Sequence, residues 1–66
     1  MKLFINGDER DCNRAANVAE LVTTLGLPAP ALLIEHNGTA LRREEWLAQT
    51  LAEGDRLEII RIVAGG

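Results

Sequence analysis

The sequence predicts an α+β fold, a mixed sheet of about four to five strands packed on one main helix, with a flexible C-terminal tail. Three observations predict it. The first and last apolar runs, residues 2–6 and 56–63, alternate in the period of a strand. One segment between them, Val18–Leu25, carries its apolar residues at helical spacing. Two Asn-Gly pairs, Asn6-Gly7 and Asn37-Gly38, stand where hairpins would turn.

In residues 2–6, Leu3 and Ile5 fall on one face and Lys2, Phe4 and Asn6 on the other. Asn6-Gly7-Asp8 is a turn, so residues 9–13 return as the second arm of a hairpin. Cys12 sits in that arm and reads as a small half-buried apolar residue, because no neighbouring base or cation supports a reactive thiolate. Asn17 reads as a helix N-cap, and Glu20 three positions on completes a capping box. Val18, Leu21, Val22 and Leu25 then form one apolar stripe. Gly26 suits the position after a helix end, and Pro28 cannot continue the helix. Residues 27–30 make a stiff connector.

Residues 31–36 read as a third strand, ended by Asn37-Gly38, and residues 39–41 as a short fourth. Residues 42–52 have helical composition, with Trp46 and Leu47 as the bulky apolar members. One or two turns of helix are expected there, in part 3₁₀. Trp46 reads as an anchor under this segment; stacking on a ligand is the alternative. Gly54-Asp55 turns the chain into the final strand, 56–63. A hairpin, a crossover helix that returns a strand to the same sheet, a short strand and a last strand make the β-grasp, or ubiquitin-like, order. Residues 1–66 form a single domain on this reading.

Composition narrows the function. A chain of 66 residues has a modest core, and such domains often lean on disulfides or metals. Cys12 is the one cysteine and His36 the one histidine, so neither an intrachain disulfide nor a metal cluster is expected. The formal charge is −3, and Arg42-Arg43 is followed at once by Glu44-Glu45. Nucleic-acid binding calls for a basic stripe with stacking aromatics, so no nucleic-acid partner is expected. No apolar stretch has the length of a signal peptide or a membrane span, and a lone cysteine suits a reducing compartment. The expected location is the cytoplasm, with no membrane partner.

Gly65-Gly66 ends the sequence after the strand-like run. Without side chains, a diglycine threads a slot too narrow for other residues and accepts nearly any backbone angles. It offers an unhindered carboxylate on a short tether. Such a carboxylate becomes an electrophile once ATP converts it to an acyl-adenylate. The plain alternative is a frayed terminus, where glycine is common.

Taken along its whole length, the chain resembles the ThiS family of sulfur carriers of thiamine-thiazole biosynthesis. The residues that carry the resemblance are the start, residues 1–6; Asn37-Gly38 followed by Leu41-Arg42 and Trp46; the Glu53-Gly54-Asp55 turn; and the end, residues 62–66. Arg42-Arg43 departs from the Pro-Arg often found in the family, and residues 27–30 fall in a variable loop. The resemblance implies a protein cosubstrate rather than an enzyme, with no catalytic residues and no bound cofactor or metal. It implies that a ubiquitin-activating-like (ThiF-like) adenylyltransferase uses ATP and Mg to adenylate the Gly66 carboxylate. A cysteine-derived persulfide donor then supplies sulfur, and Gly66 becomes a thiocarboxylate. Thiazole synthase (ThiG-like) receives the tail, Ala64, Gly65 and Gly66, and builds the ring.

Strand alternation adds a docking face. If Leu3, Ile5, Leu57 and Ile59 face the helix, then Phe4, Ile60 and Ile62 face away, and Leu33 joins them if Leu32 and Ile34 point inward. An exposed apolar patch of this kind marks a partner surface; scattered exposed apolar residues are the plain alternative. Three other functions fit the same fold. They are a carrier for molybdopterin or cysteine synthesis, a β-grasp binding module without a working tail, and a ubiquitin-type modifier of lysine amines.

Overall fold

A computed structural model describes residues 1–13 and 15–62. Five strands and one α-helix follow in the order β1 (Lys2–Ile5), β2 (Asp8–Asp11), α1 (Val18–Leu25), β3 (Leu32–His36), β4 (Thr39–Leu41) and β5 (Arg56–Arg61). The sheet order is β2-β1-β5-β3-β4. β1 and β5 run parallel at the centre and the other neighbours are antiparallel. This is the β-grasp arrangement expected from the element order.

Both hairpins turn on Asn-Gly. Asn6 and Asn37 have φ of 51° and 49°, and the glycines after them both have φ of 86°. Two successive left-handed residues match the twist of the strands they join. β2 is shorter than the expected 9–13 and starts one residue earlier, so Cys12 lies just past its end. Cys12 is buried there, its amide donating to the Met1 carbonyl at 2.7 Å.

The core is the layer between α1 and the inner face of the sheet. Leu3, Val18, Leu21 and Leu57 are fully buried in it, with Ile34, Val22 and Trp46 close behind. Burying one such aliphatic side chain contributes about 1.5–3 kcal/mol.

The termini of α1 are satisfied by named partners. At its start four amides lack helical acceptors. The Val18 amide donates to the Gln49 carbonyl at 3.0 Å and the Ala19 amide to the Trp46 carbonyl at 3.2 Å. The Glu20 amide donates to Asn17 Oδ1 at 2.9 Å, and the Leu21 amide closes the first helical bond to Asn17. The Glu20 carboxylate reaches back to the Ala16 amide, one residue before the cap, at 3.2 Å. At its end Gly26 is left-handed, with φ of 69°, and its amide returns to Thr23.

These contacts hold residues 42–52 to the short end of the expected one or two turns. Only Arg43–Glu45 is helical, as one 3₁₀ turn. The carbonyls of Trp46 and Gln49 are committed to α1, and Asn17 and Thr50 form an isolated bridge. A continuous helix would have turned those carbonyls along its own axis. Trp46 is indeed the anchor, buried in the core. Leu47, the other bulky apolar member, is 71% exposed.

Candidate functional site

The tail residues Ala64, Gly65 and Gly66, like Val63, lie outside the described residues. The last backbone bond before them is the Ile62 amide to the Ala31 carbonyl at 2.6 Å. Four residues follow Ile62 in the sequence, and an extended chain of four residues spans about 13 Å.

β5 leads to this tail and shows two different faces. Leu57 and Ile59 look toward α1, whereas Ile60 and Ile62 look away, 52% and 47% exposed. Leu33 is paired directly with Ile60 and is 54% exposed. Phe4, on β1, points to the same side but is half-buried, and the Arg56 guanidinium lies 5.4 Å from its ring centroid. The four residues proposed from alternation thus share the outer face, and three of them are exposed at about half their surface.

The two turns at the other end of the sheet fix where β5 begins. The Glu53 carboxylate accepts the Lys2 amide through both oxygens, at 3.0 and 3.1 Å. The Gly54 amide donates to the Lys2 carbonyl and the Phe4 amide to the Asp55 carbonyl. Asp55 then gathers three donors. His36 Nε2 lies 2.7 Å from its Oδ2, the Ala52 amide donates to Oδ2 at 2.9 Å, and Asn37 Nδ2 donates to Oδ1 at 3.1 Å. Burial opposes the Asp55 charge, but the hydrogen bonds from His36, Ala52 and Asn37 outweigh it and hold the carboxyl below the ordinary aspartate range. Asn37 in turn accepts the Arg56 amide at 2.8 Å. At the tail end of β1, Asn6 offers its side-chain amide as a backbone substitute. Its Oδ1 accepts from the Ile59 amide at 2.8 Å and its Nδ2 donates to the Ile59 carbonyl at 3.1 Å.

The Glu-Gly-Asp motif is therefore a clasp that sets the register of β5, and with it the placement of the outer patch and the root of the tail. Sequence reasoning found the motif but not its partners. A histidine at an inner-facing position of a strand end, opposite a Gly-Asp turn, was the available signal. Among the described residues no group of three or more His, Cys, Asp or Glu could hold a metal ion. None of their helices is long and apolar enough to cross a membrane.

Comparison with known proteins bears on this geometry. The model of the ThiS family matches residues 3–66. The crystal structure of a thiamine biosynthesis protein (ThiS) from Geobacter metallireducens superposes with a TM-score of 0.85 at 35% identity, covering all of both chains. A thiazole synthase of Paramagnetospirillum magneticum is 32% identical over 66 residues, and one of Magnetococcus marinus is 26% identical over 66. In both cases the match takes in the whole of this chain but only 20% of the relative.

Proposed function

This chain belongs to the ThiS family, and on that premise we propose that it is a sulfur carrier for thiazole ring formation in thiamine biosynthesis. The observation that carries the proposal is that the family match runs through to Gly66. Gly66 presents its carboxylate to a ThiF-like adenylyltransferase, which uses ATP and Mg to form the acyl-adenylate. The outer sulfur of a cysteine-derived persulfide attacks the acyl-adenylate and expels AMP to give an acyl disulfide. A second thiol on the partners then cleaves its S–S bond, releasing the thiocarboxylate on Gly66 and leaving a disulfide on the partners. The thiocarboxylate is the better nucleophile, and thiazole synthase takes it into its own site. Chemistry belongs to the partners, and this chain contributes a surface and a tether. Phe4, Leu33, Ile60 and Ile62 dock, while Ala64 and Gly65 thread the narrow approach to the reacting carbon. The cytoplasm, where Cys12 stays reduced, is the compartment that suits this role.

Two features support the division of labour. Ile60 of the outer patch lies on β5 and Ile62 follows that strand, so a partner seated on the patch stands over the residue from which the tail continues in sequence. The tether beyond Ile62 is long enough, at about 13 Å, to bury the terminal carbon while the domain stays outside. The proposal is tested by intact mass. With the cognate adenylyltransferase, ATP, Mg and a sulfur source, the protein gains one oxygen-for-sulfur exchange at Gly66. Deleting Gly66, or adding one residue after it, abolishes the gain. Sulfur appearing instead on Cys12 of the truncated protein would overturn the proposal.

A further inference from the structure

Glu35 and Glu58 face each other across β3 and β5. The register makes theirs a hydrogen-bonded position. Asn37 bonds to Arg56 and Ile62 to Ala31 in the same ladder, and such bonds return at every second residue of an antiparallel pair. Facing Cβ atoms at such positions lie about 5 Å apart. Both glutamates are exposed, on the side away from α1. Like charges placed directly opposite each other weaken a strand pair.

Nothing among the described residues relieves this one. Neither carboxylate takes part in an ion pair or a side-chain hydrogen bond there. Other charges on the same face are engaged: Lys2 lies 3.7 Å from Glu9, and Arg56 lies over Phe4.

The position of the pair gives it meaning. Leu33 and Ile60 are the next residues along the same face of the same two strands. A surface that covers this apolar pair also covers the two carboxylates and strips their water. A desolvated, unpaired charge is strongly unfavourable, so the covering surface must bring a cation. A guanidinium suits best, because its planar fork has donors enough to bridge two carboxylates. A second copy of this chain is a poor occupant, since a two-fold contact through this face would bring four carboxylates together.

We propose that Glu35 and Glu58 receive an arginine of thiazole synthase, set among apolar side chains that cover Leu33 and Ile60. This rests on the carrier reading above. Thiazole synthase is chosen among tail-binding enzymes because the two relatives that bear that name contain this whole unit within a fifth of their length.

The test titrates thiazole synthase from the same organism with wild-type protein and with the E35Q/E58Q variant, at low and at high salt. The double variant keeps shape and removes charge. The expected result is a loss of affinity of about tenfold or more at low salt and a shallower salt dependence. Its melting temperature stays equal to or above that of wild type. E35A/E58A is expected to repeat the pattern. Equal affinity and equal salt dependence for wild type and E35Q/E58Q overturn the inference. So does a glutamate-dependent dimer of the free protein, or glutamate-dependent binding to the adenylyltransferase alone. In those outcomes the mass gain on Gly66 still occurs and the carrier reading stands. If wild type neither gains sulfur nor binds the synthase, both fall together.

Discussion

The two faces of the sheet are made by the same strands, both carry large apolar side chains, and those side chains end in opposite states. On the inner face Leu3, Ile34 and Leu57 are sealed beneath α1. At alternate positions of the same strands Phe4, Leu33 and Ile60 look outward, and Leu33 and Ile60 remain half exposed. Composition does not separate the two sets; the pleat does. A small domain has one helix to spend, and it covers one face. The apolar residues on the other face add little to folding and leave a surface that a partner can dry. The charges differ in the same way. Inward, Asp55 is surrounded by donors, whereas outward Glu35 and Glu58 repel each other.

The sharpest way to break this comparison is to truncate one inward residue and to charge one outward residue. Leu57→Ala removes a fully buried side chain and leaves a cavity, at a cost of about 2–5 kcal/mol. In a domain of this size that is enough to unfold much of the population. Ile60→Asp changes a half-exposed residue beside Glu58 and is expected to cost about 1 kcal/mol, less than the inner truncation. It should nonetheless weaken binding to thiazole synthase. The check is a paired measurement of melting temperature and partner affinity on both variants. If the two exchanged roles, the register of β5 would be off by one and the docking face would have to be redrawn around Leu57, Ile59 and Arg61.

A smaller effect comes from loosening the inner face at its polar end. The folded pKa of Asp55 is below the ordinary value of 3.8. The unfolded chain therefore takes up this proton first as the solution is acidified. The stabilisation is complete above about pH 5 and is lost as pH falls through 3.8 toward the lower folded value. Asp55→Asn keeps the shape and removes the charge. It should lower stability by about 1.5–3 kcal/mol at neutral pH, the range for hydrogen bonds to a charged group. The difference from wild type should shrink as pH drops below 3.8. Denaturant unfolding across that pH range tests it, and a gap independent of pH would mean that shape rather than charge holds the two turns together.

What could be read from the sequence divides along local and non-local lines. α1 spans Val18–Leu25 in the structure as its periodicity and caps predict, because both signals lie within ten residues. The inward and outward sets of β1, β3 and β5 followed from alternation alone, and the Asn-Gly turns from the left-handed angles they permit. The outer patch was legible for the same reason. In residues 42–52 the single 3₁₀ turn falls within the one or two turns expected, whereas the service of the Trp46 and Gln49 carbonyls to Ala19 and Val18 of α1 is a demand no window of composition can display. The Asp55 cluster and the Glu35–Glu58 pair were hidden for a similar reason. Each depends on which strand lies beside which, and in what register. The Gly66 chemistry was read from motif and resemblance, and no pleat or packing rule would have supplied it.

The smallest expected effect concerns a residue that belongs wholly to the inner side. Cys12 is the one thiol in a protein proposed to carry sulfur, so it is the obvious rival to Gly66. Its surroundings argue against that role. It is buried, it joins the core cluster with Leu3 and Ala15, and its amide is tied to Met1. A thiol that exchanges sulfur with a partner must be reached by the partner. Cys12→Ser places a hydroxyl where the core offers a thiol-sized apolar site, at a cost of about 1 kcal/mol. In a domain of this length that lowers the melting temperature by about 4–8 °C. Sulfur loading of Gly66, followed by intact mass at a temperature where the variant is folded, should proceed at the wild-type rate. A folded Cys12→Ser protein that no longer acquired sulfur would move the chemistry from the tail to the core and undo the contrast between the two faces.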